Sequence, residues 1–164
     1  MSLWGNDIKP KNLSDAEKKE VYATKQGWVR EAGSVLSGNG NTGADPEVLV
    51  AISNLSANMG AANITEIEFV TTSFDKSDGG NIDVRVRFNE PVTVTGTPRV
   101  SITNGNQGSG SGRGPHLANY LSGSTTNELL FRCTIGAANS ATNAGDILVI
   151  GTNATALNSG TIKD

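Results

Sequence analysis

The stretch Ile82-Asp-Val-Arg-Val-Arg-Phe88 decides the fold class of this chain. Every second residue in it is apolar and the residues between are charged, as in a strand with one buried face and one face toward solvent. The run from Leu129 to Ile135 repeats the alternation, and shorter strand-like runs occur at 64–69, 92–94, 100–102, 117–121 and 147–150. No sustained helical pattern competes. The spacing predicts six or seven strands in an all-β sandwich.

Composition supports the same fold class and excludes several functions. The 164 residues include 20 Gly but only 5% aromatics, and many are Ser, Thr or Asn, which favour turns and strands over helix interiors. The formal net charge of −3, with scattered Lys and Arg, argues against a nucleic-acid partner. No apolar run is long enough to cross a membrane, and the first residues lack the features of a signal peptide. We therefore expect no membrane partner and a chain that stays in the compartment where it is made.

The first third of the chain has a different pattern. Three short strand-like runs, 20–24, 27–31 and 47–52, follow a helix start at Ser14. Three strands are few for an independent core, so this part is expected to lean on a partner. The predicted organisation is an arm and small β docking module at 1–55, a linker at 56–63 and the sandwich at 64–164.

Bulky apolar residues in the polar N-terminal arm indicate a binding function. Leu3 and Trp4 have no obvious partner within so short a tail, so we predict that they anchor the arm on another protein. Trp28 and Arg30 in the small module are further predicted partner-binding residues. For Trp28 the balance favours packing inside the module, with an interface role as the alternative.

Two resemblances add to this interpretation. The C-terminal hundred residues resemble a bacterial and phage immunoglobulin-like repeat of large surface proteins, in the motifs 82–98, 118–124 and 160–164, which include Glu-Pro-Val-Thr-Val-Thr-Gly-Thr-Pro and Gly-Thr-Ile-Lys-Asp. The first 55 residues resemble virion structural proteins of contractile-tailed marine phages, notably those infecting cyanobacteria. That resemblance covers Met-Ser-Leu-Trp-Gly-Asn at 1–6, the motif at 21–30 and Glu-Val-Leu-Val-Ala-Ile at 47–52.

The second resemblance implies a common docking element that carries a variable domain, here the Ig-like sandwich. It implies a non-enzymatic virion protein, made in the host bacterial cytoplasm, and specifically a capsid decoration protein present in many copies. The expected partner is the major capsid protein. The alternatives are a neck, collar or tail-associated virion protein and, in a different class, an adhesin or carbohydrate-binding module that contacts a cell-surface glycan.

The chemistry-bearing residues do not converge on a predicted active site. His116 is the single histidine and is expected in a loop, without a nucleophile or carboxylate spaced to accompany it. Cys133 cannot form an internal disulfide and is expected as a small buried hydrophobe. The run Asp75–Asp83 lacks the spacing and the closing Glu of a calcium loop, so a β-turn is the preferred interpretation. We expect no enzyme activity, cofactor or metal.

Overall fold

The computed structural model describes residues 13–34, 36, 38, 40–59, 61–104, 114–137 and 146–164. Its N-terminal elements are α1 Asp15–Glu20, β1 Val21–Thr24, β2 Gly27–Arg30, β3 Glu47–Ala51 and α2 Leu55–Asn58. The sandwich elements are β4 Ile64–Phe69, β5 Gly80–Thr95, β6 Arg99–Asn104, β7 His116–Ser122, β8 Thr126–Ile135, β9 Leu148–Ala156 and β10 Thr161–Lys163. The predicted fold class, an all-β chain with an Ig-like sandwich, is confirmed.

The sandwich is organised around the long strand β5. The antiparallel sheet runs β10-β5-β8-β7-β6-β9, and β4 pairs with the other side of β5. The first half of β5 pairs with β4 and β8, and its last residues pair with β10 after a register shift between Arg87 and Val92. Such irregularities bend a strand. One continuous strand therefore links two regions of the sandwich.

The apolar residues of the alternating strands meet in one core, as their spacing predicts. Phe131 is fully buried in this core and contacts the ring of Tyr120 edge to face, with centroids 6.0 Å apart. The Tyr120 hydroxyl accepts a hydrogen bond from the Ser124 backbone N–H. The buried members of the core are Ile82, Val84, Val86, Phe88, Val92, Val100, Ile102, Ala118, Leu129, Phe131, Ile135 and Ala154.

The N-terminal module is a three-stranded sheet, β1-β2-β3, with its own small core. Ser14 caps the N-terminus of helix α1 in a capping box with Glu17, which satisfies backbone N–H groups at the helix start. The small core contains Val21, Ala23, Trp28 and Leu55, with Leu13, Leu49, Ile52 and Met59 packed against it.

The predicted linker 56–63 is partly structured. Helix α2 begins at Leu55, whose side chain is fully buried in the small core, and Met59 also packs there. Ala62 packs against the core of the sandwich. The segment therefore connects the small core to the sandwich core, with only a few residues between them.

Candidate docking site

The N-terminal module lies against the outer face of the sandwich. Strand β1 packs on β5, and Lys19 of α1 reaches two carboxylates of β4. Its Nζ is 2.9 Å from Glu68 Oε2 and 3.8 Å from Glu66 Oε1. The two parts of the chain are thus joined by ionic contacts as well as by the connecting segment.

A charged cluster lies at this junction. Glu128 of β8 holds two arginines of β5, with its Oε1 2.8 Å from Arg85 Nε and its Oε2 2.8 Å from Arg87 Nη2. Arg85 Nη1 is also 3.3 Å from Glu68 Oε1. The sequence predicted Arg85 and Arg87 on a solvent face, but Arg87 is only 7% exposed. The N-terminal module packs on this part of β5, which removes Arg87 from water.

The pKa values at the junction follow these contacts. The hydrogen bond from Lys19 lowers the pKa of Glu68 and raises that of Lys19. Burial raises the pKa of Glu31, with Arg87 opposing and Glu20 adding to the rise. The ion pairs therefore favour the charged forms of Lys19 and Glu68, whereas burial disfavours the charged form of Glu31.

The predicted partner-binding residues fall in different places. Leu3 and Trp4 lie outside the described residues. Trp28 is 4% exposed in the small core, the packing that the sequence favoured for it. Arg30 approaches Glu17 at 3.7 Å and Glu47 at 3.9 Å, so it connects α1 with β3. The structure brings Trp28 and Arg30 together on β2, and their contact with a partner stays a prediction.

Strand β3 offers a docking surface that the sequence did not single out. Among the described residues it pairs only with β2, so the backbone groups of its other edge are open. Val48 is 46% exposed, and Leu36 in the preceding loop is also exposed. An open edge with apolar side chains suits the addition of a strand from a partner. The sequence feature that could have identified this edge is the position of β3, which follows a loop and is the last strand of the small sheet.

The sequence predicts His116 in a loop, but the structure places it at the start of β7. It pairs with Ile102 of β6, which carries its side chain into a buried polar group. Its Nε2 is 3.3 Å from Asn104 Nδ2, which also donates to Asp146 Oδ2 at 3.1 Å. Burial lowers the pKa of His116, and Asp146 opposes this. The group links β6, β7 and the segment leading into β9.

Cys133 and the run Asp75–Asp83, the other two candidates for a chemical function, make contacts that serve the fold. Cys133 packs against the sandwich core, and burial raises the pKa of its thiol. In the Asp75–Asp83 run, Asp75 Oδ1 accepts from the Ser77 N–H at 2.7 Å, which forms the predicted turn. Asp83 binds Arg132 through both carboxylate oxygens. Within the described ranges, no three His, Cys, Asp or Glu side chains are grouped as a metal site would require.

Two cavities are lined in part by the connecting segment 56–63. The first, called here the apolar cleft, has a volume of about 410 Å³ and is lined by Ala61, Ala62, Ile64, Phe88, Pro98, Arg99, Phe131, Thr155, Ala156, Leu157, Ile162, Lys163 and Asp164. The second, of about 470 Å³, is lined by Thr24, Lys25, Ser56, Ala57, Glu90, Pro91 and Asp164. Glu90 is almost fully buried, and its Oε1 has no hydrogen-bond partner among the described residues. Burial, and then Asp164, raise the pKa of Glu90.

Together, the fold and the junction define an all-β chain in which a small N-terminal β module is attached to an Ig-like sandwich. Comparison of the chain with protein-family models, curated proteins and solved structures found no match. No helix in the described part of the chain has the length and apolarity to cross a membrane.

Proposed function

We propose that this chain is a non-enzymatic structural protein of a contractile-tailed phage virion, and specifically a capsid decoration protein. The N-terminal arm and module bind the head shell, and the Ig-like sandwich projects from it. The observation that supports the proposal is the packing of the module on the sandwich, in which β1 lies against β5 and Lys19 of α1 binds Glu68 of β4. A sandwich packed on the module in this way keeps a fixed orientation relative to the surface that the module binds.

The binding surface in this proposal combines an edge and an arm. The open edge of β3 supplies backbone donors and acceptors, and Val48 adds apolar contact. Leu3 and Trp4 of the arm bury apolar surface in a groove of the partner, which offsets the entropy lost when the arm is ordered. Many copies on one symmetric particle then give avidity from individually weak sites.

A position at the neck or tail is the nearest alternative, because the same edge and arm would serve there. The two positions differ in symmetry. A decoration protein repeats over the head lattice, whereas a neck protein forms one ring. The major capsid protein is the partner in the first case, and a neck or tail protein in the second.

A glycan-binding or adhesin role has less support from the surface. Sugar-binding faces commonly offer exposed aromatic rings on which a sugar can stack. Among the described residues every aromatic side chain is buried or partly buried, and Tyr120 is held by Phe131 and Ser124. These observations favour a structural role for the sandwich, as a domain that extends from the particle, over a role in glycan binding.

The deciding experiment is cryo-EM of intact particles that contain the chain, with density sought for the N-terminal module. Density repeated over the head, with the β3 edge against the shell, is the expected result. A single ring at the neck would replace the head assignment, and absence from purified particles would overturn the virion proposal.

Incorporation of variants tests the binding surface. Trp4→Ala should reduce the copies per particle several-fold, since it removes the largest side chain of the arm. Leu117→Ala, at an exposed position of the sandwich, is the matched control and should be incorporated normally. Equal incorporation of both variants would remove the arm from the docking mechanism.

A further inference from the structure

The apolar cleft exposes side chains that a folded protein usually covers. Phe88 and Phe131 form its buried floor. Ile64 and Leu157 at its wall are 44% and 52% exposed, although both are large and apolar. Concave apolar surfaces of this volume are typical binding sites.

The N-terminal end of the described chain packs on the same small core as the segment that leads into the cleft. Leu13 and Met59 pack against the same small core, and Met59 precedes the lining residues Ala61 and Ala62 by two and three positions. Trp4 lies nine residues before Leu13, a length of chain that can span up to about 30 Å. An arm of this length, beginning at the small core, can extend toward the cleft of its own chain.

The chemistry of the arm matches that of the cleft. Leu3 and Trp4 are adjacent bulky apolar residues, and Asp7 follows three positions after Trp4. The lining includes the cationic side chains of Arg99 and Lys163. A guanidinium or ammonium group attracts both a carboxylate and the face of an indole ring.

We propose that the apolar cleft binds Leu3 and Trp4 of the same chain. Tethering gives the arm an effective concentration in the millimolar range, so its own cleft competes favourably with that of a second copy in dilute solution. A partner that binds the arm must first withdraw it, and the cleft then becomes open to other ligands. The proposal concerns the isolated chain and does not rest on the virion assignment.

Fluorine NMR of the purified chain labelled with 5-fluorotryptophan tests this occupant, because the chain has two tryptophans and Trp28 keeps its place in the small core. Trp4→Phe assigns the Trp4 signal. We expect this signal to be broadened several-fold less by a soluble paramagnetic agent than the signal of a peptide of residues 1–12. Broadening equal to that of the peptide would overturn the proposal.

Two variants of β9 localise the binding. Ala156→Phe fills the cleft and should raise the broadening of the Trp4 signal to the level of the peptide. Val149→Phe adds the same ring at an exposed position of the same strand, away from the cleft, and should leave the signal unchanged. A Trp4 signal that stays protected in Ala156→Phe would place the arm outside the cleft. Protection lost on dilution would assign it to a second copy, and either result rejects the proposal.

Discussion

Arg87 and Glu128 face each other on neighbouring strands, with Nη2 and Oε2 2.8 Å apart, beneath the packed N-terminal module. The Arg87 side chain is 8% exposed and that of Glu128 is 32% exposed. Loss of the carboxylate from such a pair leaves a guanidinium buried without its counter-charge, which costs more than the attraction alone. Both residues belong to the sandwich, so the pair gives a sensitive measure of the stability of the sheet on which the module packs.

Glu128→Gln should lower the free energy of unfolding by about 2–3 kcal/mol, somewhat less than for a fully buried pair because Glu128 is partly exposed. The carboxylate serves Arg85 as well as Arg87, so both lose it together. Urea denaturation measures the change. Glu47→Gln is the control, since Glu47 is 60% exposed and 3.9 Å from Arg30, and it should cost less than about 0.5 kcal/mol. Equal effects would show that the ion pairs of Glu128 with Arg85 and Arg87 add little stability.

Glu90→Gln should stabilise the protein at neutral pH, by on the order of 1 kcal/mol. Burial raises the pKa of Glu90 in the folded state above its unfolded value. The stability linked to its proton is therefore full below the unfolded pKa and is lost as the pH rises through the folded pKa. The ionised carboxylate disfavours folding at pH 7, and the neutral amide does not.

Denaturation curves of wild type and Glu90→Gln at pH 4 and pH 7 test this sign. The advantage of the variant should be present at pH 7 and should shrink at pH 4, where the wild-type carboxyl is more fully protonated. Glu31, whose pKa burial also raises, keeps part of the pH dependence in both proteins. A variant less stable than wild type at pH 7 would indicate that the carboxylate has a stabilising partner.

The strands were predictable because each has a local signal. Alternation placed β5 and β8 correctly, with Val84 and Phe131 inward, and the hairpin of β1 and β2 follows the runs on either side of Lys25 and Gln26. These patterns depend on the period of a strand, which neighbouring residues encode.

The junction was not predictable from the same signals. The alternation that faces Arg87 away from the sandwich core is identical whether that face meets water or a second module. Gly114 and Pro115 predict a loop at His116, but pairing with β6 makes this residue the start of β7. Burial of both side chains depends on contacts between segments far apart in the sequence, and local periodicity does not report them.

Cys133 should react slowly with a thiol reagent such as dithionitrobenzoate in the native state. Its side chain packs against the core, and the raised pKa leaves less of the reactive thiolate at neutral pH. The control is the double variant Cys133→Ser, Ser53→Cys, which moves the thiol to an exposed position. We expect the control to react on the order of tenfold faster or more. Similar rates would mean that β8 opens readily around Cys133.

Gly27→Ala should disrupt the N-terminal module. Gly27 begins β2 with φ +133°, and a Cβ there would lie 2.0 Å from the Val50 carbonyl oxygen on β3. An alanine must push β3 away or change the turn, at a cost of about 2 kcal/mol or more. Gly40→Ala is the control, because outside Gly40 and its chain neighbours no heavy atom of the described residues lies within 4 Å of its Cβ position. Hydrogen exchange should show faster exchange in β1–β3 for Gly27→Ala alone, while β5 and β8 stay protected. Uniform acceleration through β5 and β8 would instead show that the module and the sandwich unfold as one unit.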